Sequence, residues 1–298
     1  MIIRKQLHKL VDQLPEYRLN SALKYLRLLL TDAEPNCLYH YTKPEGLFGI
    51  FDSKTIWAKQ YCYLNDSSEL LIAKKLVKIR RKALDLKVDL GPLENDLKVY
   101  VSIFSLCSEW NLLSQWRAYC PTGGYAIGFD VKKLRTLISK RGKTVSSGPN
   151  FLLSRCVYNE EEQKDLVDTW LRKNQSGPGE LINLNKFIQE VGLSIKHHGF
   201  EEEHEWRIIS RIMSPLFDTT NETYHTRWRE RGTNNYSVFS FMAINLRDDD
   251  GLLPIREIVV GPCRDMKKAI RFVDERIREV GMEDRIAVRK TDIPYTVL

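Results

Sequence analysis

A mixed α+β fold is predicted: a central sheet of short strands, flanked by helices, with a helical hairpin ahead of it. Three features predict it. Short runs rich in β-branched and aromatic residues, such as LYHYT (38–42), VYVSIFSLC (99–107) and VFSFMAINL (238–246), read as strands. Amphipathic helical stripes lie between them, with no internal repeat. The first thirty residues carry two leucine stripes separated by Pro15.

The 298-residue chain is long enough for a large core, and its 43% hydrophobic and 29% charged residues are ordinary for a globular protein. No apolar run reaches membrane-spanning length: the greasiest stretch, LKYLRLLL, is interrupted by Lys24 and Arg27. The N-terminus has no signal-peptide pattern, so a cytoplasmic protein is expected. Six cysteines (37, 62, 107, 120, 156, 263) form no CxxC pair, which predicts reduced thiols. The formal charge of +7 points to an anionic partner such as nucleic acid or a phosphorylated cofactor.

The elements follow in order. Leu7, Leu10, Val11 and Leu14, then Leu19, Leu23, Leu26 and Leu30, predict the hairpin, a docking or dimerisation device for a partner protein or a second copy. It gives an N-terminal unit at 1–35, joined through AEPN (33–36) to an α+β domain at 36–298. LYHYT is the first strand. Thr42-Lys43-Pro44-Glu45 has capping-box spacing and opens a helix through Leu47, Phe48, Ile50 and Phe51. TIWA (55–58) is the next strand. YCYLNDSSEL leads to a long helix striped by Ile72, Leu76, Ile79, Ala83 and Leu86, which Asp66 or Ser67 can cap. Its other face, KKLVKIRRK, is basic: a solvated surface, or a phosphate-contacting one through Lys74, Lys78 and Arg81. SQWRAY (114–119) is a short helix, and GGYAIGFDV (123–131) is a turn and strand. Residues 142–150 and 174–180 are loops rich in Gly, Ser and Pro. A helix from Phe187 to His198 runs into the strand FEEEHEWRIIS (200–210). After a polar, Asn-rich stretch (218–236) come VFSFMAINL, EIVVGP, a last helix stopped at Gly281, and RIAVRK.

Several chemistries find no support. Walker, GxGxxG, GxSxG and HEXXH motifs are absent from the sequence. His197, His198 and His204 fit no standard metal-ligand spacing, so no metal is predicted. What remains is a constellation. His40 ends the first strand. Tyr63, Asn65 and Asp66 follow the second. Gln115, Trp116, Arg117 and Tyr119 form a polar-aromatic cluster. On the late strand, period-two alternation puts Glu203, Glu205, Arg207 and Ile209 on one face, with His204, Trp206 and Ile208 on the other. The acidic face is either a site or an ion-pair patch.

In order, LYHYT, YLNDSSE, SQWRAY with GYAIGFD, FEEEHEWRI, IREIVVGP and TDIPYTV resemble an uncharacterised bacterial family of unknown function, over roughly residues 38–298. More distantly, LYHYTKPEGLFGIFDSKTIWA resembles the opening of ADP-ribosyltransferase-like folds. That second resemblance implies an ADP-ribosyltransferase-like sheet and NAD as substrate. It implies that His40 bonds the ribose, that Glu205 engages a ribose hydroxyl and that Glu203 is the second carboxylate. It also implies an aromatic stacked on nicotinamide, for which Tyr63, Trp116 and Tyr119 compete. Arg207 or Arg117 would grip the pyrophosphate, and Thr42 and Asn65 would complete the cofactor-binding set. The acceptor would be a macromolecule, with nucleic acid favoured by Lys74, Lys78 and Arg81, or water; a bacterial toxin or anti-phage role fits such an activity. Two other readings stand beside it: a nucleic-acid-binding or sensor module without catalysis, and a hydrolase using Glu203 and Glu205 as acid and base.

Overall fold

Strand β3 (Val101–Cys107) is shared by two half-sheets, and that sharing positions everything else. In the computed structural model, residues 34–61, 69–86, 101–141, 150–174, 184–211, 224–230 and 236–295 are described. The expected N-terminal hairpin, and Tyr63, Asn65 and Asp66, lie outside the described residues.

One edge of β3 pairs along its whole length with β6 (Glu205–Arg211), from Val101↔Arg211 to Cys107↔Glu205. Strand β5 (Asn150–Arg155) pairs with the far side of β6. The other edge is divided. Strand β2 (Thr55–Gln60) takes its N-terminal part, with Lys59↔Ile103 and Gln60↔Ser102. Strand β1 (Cys37–Thr42) takes its C-terminal end, with Tyr39↔Cys107. From there the half-sheets diverge. One continues from β1 through β4 (Tyr125–Asp130) and β9 (Ile255–Val260) to β10 (Ala287–Lys290), and the other from β2 through β8 (Tyr236–Asn245) to β7 (Tyr224–Glu230). Among the described residues all strand pairs are antiparallel except β9 with β10, so the sheet is mixed. β7 lies inside the polar stretch 218–236, and β5 begins inside the expected loop at 142–150.

Helices cover both faces. Helix α1 (Pro44–Ser53) places Leu47 and Phe51 in a core with Leu38, Phe104 and Ile208. Its N-cap is Lys43, without a side-chain cap bond, and not Thr42: Pro44 occupies the first turn and starts the helix one residue later than a capping box requires. Helix α4 (Val131–Arg141) and helix α7 (Met266–Glu279) add Leu134, Ile138, Val273 and Ile277 to the same core. On the opposite face, helix α2 (Glu69–Ala83), helix α5 (Glu160–Lys173) and helix α6 (Leu184–Glu190) pack Val77, Val167, Trp170 and Phe187 over Val101, Ile103 and Ile209. α6 stops well short of His198, and a 3-10 turn (Gly192–Ser194) follows it. In α5, the Asn159 side chain accepts from the N–H groups of Glu161 and Glu162, with acids in the first turn and Arg172 and Lys173 in the last. Among the described residues, no helix is long and apolar enough to cross a membrane.

Short helix α3 (Leu113–Tyr119) lies over β1 with a small core of its own, Tyr39, Tyr41, Cys107, Trp116 and Cys120. Trp116 is 1% exposed and meets Tyr41 edge-on at 4.6 Å. Its ring fits because residue 261 is glycine: a Cβ there would sit 2.5 Å from the indole carbons. A distant motif, VVGP, is thus the floor under SQWRAY.

Candidate active site

Backbone groups of alternate residues point to the same strand edge. Along the divided edge of β3, Ile103 pairs with β2 and Cys107 with β1, leaving Ser105 at the seam. His40 fills that missing rung with its side chain, its Nδ1 lying 3.0 Å from the Ser105 carbonyl oxygen. A carbonyl can only accept, so Nδ1 carries the proton and Nε2 is left as an acceptor. The ring also stacks on Phe104, centroids 4.3 Å apart. Burial lowers the His40 pKa to about 4, against the Ser105 carbonyl and with help from Lys59, so the imidazole is neutral at pH 7.

Glu205 and Arg207 share a face of β6 with Ile209, while Trp206 and Ile208 pack into the core behind. Glu203 is not on the strand. Residues His198–Glu203 form a 3-10 turn, and His204 takes a left-handed conformation (φ 45°, ψ 44°) that breaks the extended run before Glu205. The carboxylates meet nevertheless, through a residue that the sequence reading passes over. Lys196 is 5% exposed, and its Nζ donates to Glu205 Oε2 at 2.7 Å and to Glu203 Oε2. Arg207 donates to the same Oε2 of Glu205 at 2.8 Å, and Cys156 Sγ lies 3.5 Å from it. Oε1 of Glu205 takes no hydrogen bond from a described residue. Burial alone would raise the Glu205 pKa, but Arg207 and Lys196 outweigh it and hold the carboxyl at about 2. Burial likewise opposes the charge on Lys196, and the two glutamates outweigh it and raise its pKa.

His40, Ser105, Gln115, Tyr119, Glu203 and Glu205 line one cavity of about 50 Å³, on the face that α3 covers. A hollow of that size admits a few water-sized groups. Larger ones exist: about 260 Å³ lies between α2 and the segment at 196–198, lined by Ile72, Lys75, Ile79, Lys164 and Lys196, but His40 does not reach it. Lys196 therefore borders that hollow while its ammonium holds the carboxylates of the smaller one.

The other expected site residues are placed elsewhere. Trp116 is packed in the interior, its Nε1 donating to Asn111 Oδ1 at 3.0 Å, and it has no face open to a ligand. Arg207 is 2% exposed and spent on Glu205 and on the Leu193 carbonyl at 2.8 Å, so it cannot grip a pyrophosphate in the cleft. Arg117 is exposed and stands over the Tyr295 ring, 5.1 Å from its centroid. Thr42 lies outside the cavity lining, its hydroxyl against the first turn of α1, where a Cβ on Gly46 would overlap it. Of the competing aromatics, Tyr119 lines the cavity. On α2, Lys78 is exposed and Lys74 and Arg81 are half-buried, while Arg80 pairs with Asp168. Among the described residues, no group of His, Cys, Asp and Glu side chains could hold a metal ion.

Residues 115–208 match the family described as Protein of unknown function (DUF2971). The matched span holds Gln115, Tyr119, Lys196, Glu203, Glu205 and Arg207, and leaves out His40. No curated protein and no solved structure matches the chain.

Proposed function

We propose that this chain is an ADP-ribosyltransferase-like enzyme that uses NAD, breaking the bond between ribose C1′ and the nicotinamide nitrogen. What supports the reading is that three acceptor-bearing side chains, His40, Glu203 and Glu205, line one hollow, with the His40 Nδ1 and the Glu205 Oε2 already held by Ser105 and Lys196. An acceptor-lined wall suits a group rich in hydroxyl donors, such as ribose. The cavity is far below the 300–1,000 Å³ typical of sites that enclose a whole small ligand. In this reading it receives the hydroxyl edge of the ribose, and the rest of NAD lies across its mouth beside Tyr119.

The chemistry follows from the two protonation states. As the C1′–N bond breaks, its electron pair leaves with nicotinamide and positive charge builds on the ribose. Glu205, ionised at neutral pH, opposes that charge from a site fixed by two cations. Neutral His40, its tautomer set by Ser105, orients a hydroxyl without adding a competing positive charge. The attacking oxygen, from water or a macromolecular hydroxyl, gives its proton to Glu203 or to solvent. Glu205 cannot be the general acid of a carboxylate-pair hydrolase, because a carboxyl held at about 2 carries no proton at neutral pH. The basic face of α2 favours nucleic acid as acceptor, and a toxin or anti-phage effector role is compatible with that chemistry.

The test is nicotinamide release from NAD by the purified protein, with and without RNA and DNA. His40→Ala, Glu203→Gln and Glu205→Gln are expected to abolish it while each still melts cooperatively. Wild-type release no greater than that of Glu205→Gln, with nucleic acid present, overturns the reading. One observation favours a second reading: the burial of Glu205 between Lys196 and Arg207 suits a purely structural ion cluster beneath a nucleic-acid-binding surface. That module would bind nucleic acid with a steep salt dependence untouched by His40→Ala, and would lose binding when Lys74, Lys78 and Arg81 are neutralised.

A further inference from the structure

Gln115 has no evident structural task. It is 8% exposed, it lines the cavity, and its side-chain amide makes no hydrogen bond to a described residue. Its amide is not among the solvent-excluded groups left without a partner, so it opens onto the hollow, where a ligand can meet it. On α3 it stands one turn before Tyr119, and residues at i and i+4 share a helix face. Both side chains meet the same hollow. The cavity therefore has two chemically distinct walls. His40, Glu203 and Glu205 carry acceptors, while Gln115 carries a donor and an acceptor side by side, next to Tyr119, a residue that is 42% exposed.

We infer that Gln115 is the specificity-determining residue of this cavity and that it reads a primary carboxamide on an aromatic ring. This rests on the NAD reading and names the part of the ligand that meets α3. A carboxamide returns an acceptor to the glutamine N–H and a donor to its carbonyl, closing two parallel bonds. A carboxylate in the same place has no donor, and sets one oxygen against the Gln115 carbonyl and its charge near Glu203 and Glu205. Tyr119 supplies a face for the ring that carries the carboxamide. The site should thus prefer nicotinamide to nicotinate, and NAD to its deamidated counterpart, nicotinic acid adenine dinucleotide.

Calorimetric titration of the full-length protein with these four compounds tests it. Wild type is expected to bind each amide at least about tenfold tighter than the matching acid, a floor well under the discrimination a site built to pair a polar group can reach. Gln115→Met, which keeps length and removes the amide, should bring that ratio to about one; if this variant does not melt cooperatively, Gln115→Leu, which also removes both polar atoms, carries the same test. Equal wild-type affinity for amide and acid, or a preference that survives in the variant, overturns the role of Gln115 and leaves the NAD reading standing. Amide-selective binding of nicotinamide without binding of NAD supports Gln115 and overturns the NAD reading. Binding of none of the four overturns both.

Discussion

Replacing Lys196 by methionine removes an ammonium and keeps most of its stem. In the folded protein that ammonium contacts Glu205 at 2.7 Å and also Glu203, with side-chain exposures of 6% for Lys196 and 7% for Glu205. Removing one partner of a buried ion pair costs about 3–5 kcal/mol. Glu205 keeps Arg207 at 2.8 Å, so the low end applies, about 3 kcal/mol, or a fall in Tm of about 6–12 °C. The loss should also depend on pH. The Glu205 carboxyl sits at about 2 in the fold against an ordinary 4.5, a depressed value, so its stabilisation is present above 4.5 and is lost as pH falls towards 2. In the methionine variant the carboxyl rises towards its ordinary value. The gap between wild type and variant is therefore full at neutral pH and narrows as pH falls through that window. Urea unfolding at neutral pH and in acid measures it. A gap under about 1 kcal/mol at neutral pH, well below the expected cost, or one that stays constant into acid, would refute the three-way clamp on Glu205.

Other substitutions probe the surroundings. Gly261→Ala drives a methyl into the Trp116 ring, where a Cβ would lie 2.5 Å away; it should cost about 1–3 kcal/mol and shift tryptophan fluorescence, and a silent substitution would mean the indole floor is not tight. His40→Phe keeps a ring on Phe104 but opens the Ser105 bond, so a loss of about 1 kcal/mol is expected by chemical denaturation, together with complete loss of nicotinamide release. Trp170→Phe removes the indole bond to Glu190, 2.8 Å long, and should cost about 1 kcal/mol without touching the cavity; an equal loss of release would show that the site is more strongly coupled to α5 than its geometry implies.

The sequence was most informative where periodicity was strong. β1, β3, β4, β8 and the last helix with its stop at Gly281 lie where their patterns predict. β7 was legible but masked by composition: Tyr224, Thr226 and Trp228 alternate with His225, Arg227 and Arg229 inside a polar stretch. The acidic run misled in its geometry, because a single left-handed residue, His204, cannot be read from an alternation that continues on both sides of it. Lys196 was hidden for a related reason. On a helix running to His198 it would face water, whereas the chain leaves α6 at Glu190 and carries the lysine inward behind Ile195. Trp116 shows the limit of composition. A tryptophan beside polar residues looks like a binding platform until a glycine far downstream proves to be its seat.

A sheet that branches at β3 has an order built into its assembly. Both arms need the strand at 101–107 before either can close, and its partners arrive from positions 37–42, 55–60 and 205–211 of the chain. Folding must therefore bring together segments far apart in sequence, the topology associated with slow collapse to the native state. The fork also marks where hydrogen exchange should first penetrate an otherwise continuous ladder, because one of its cross-links is an imidazole rather than a peptide group.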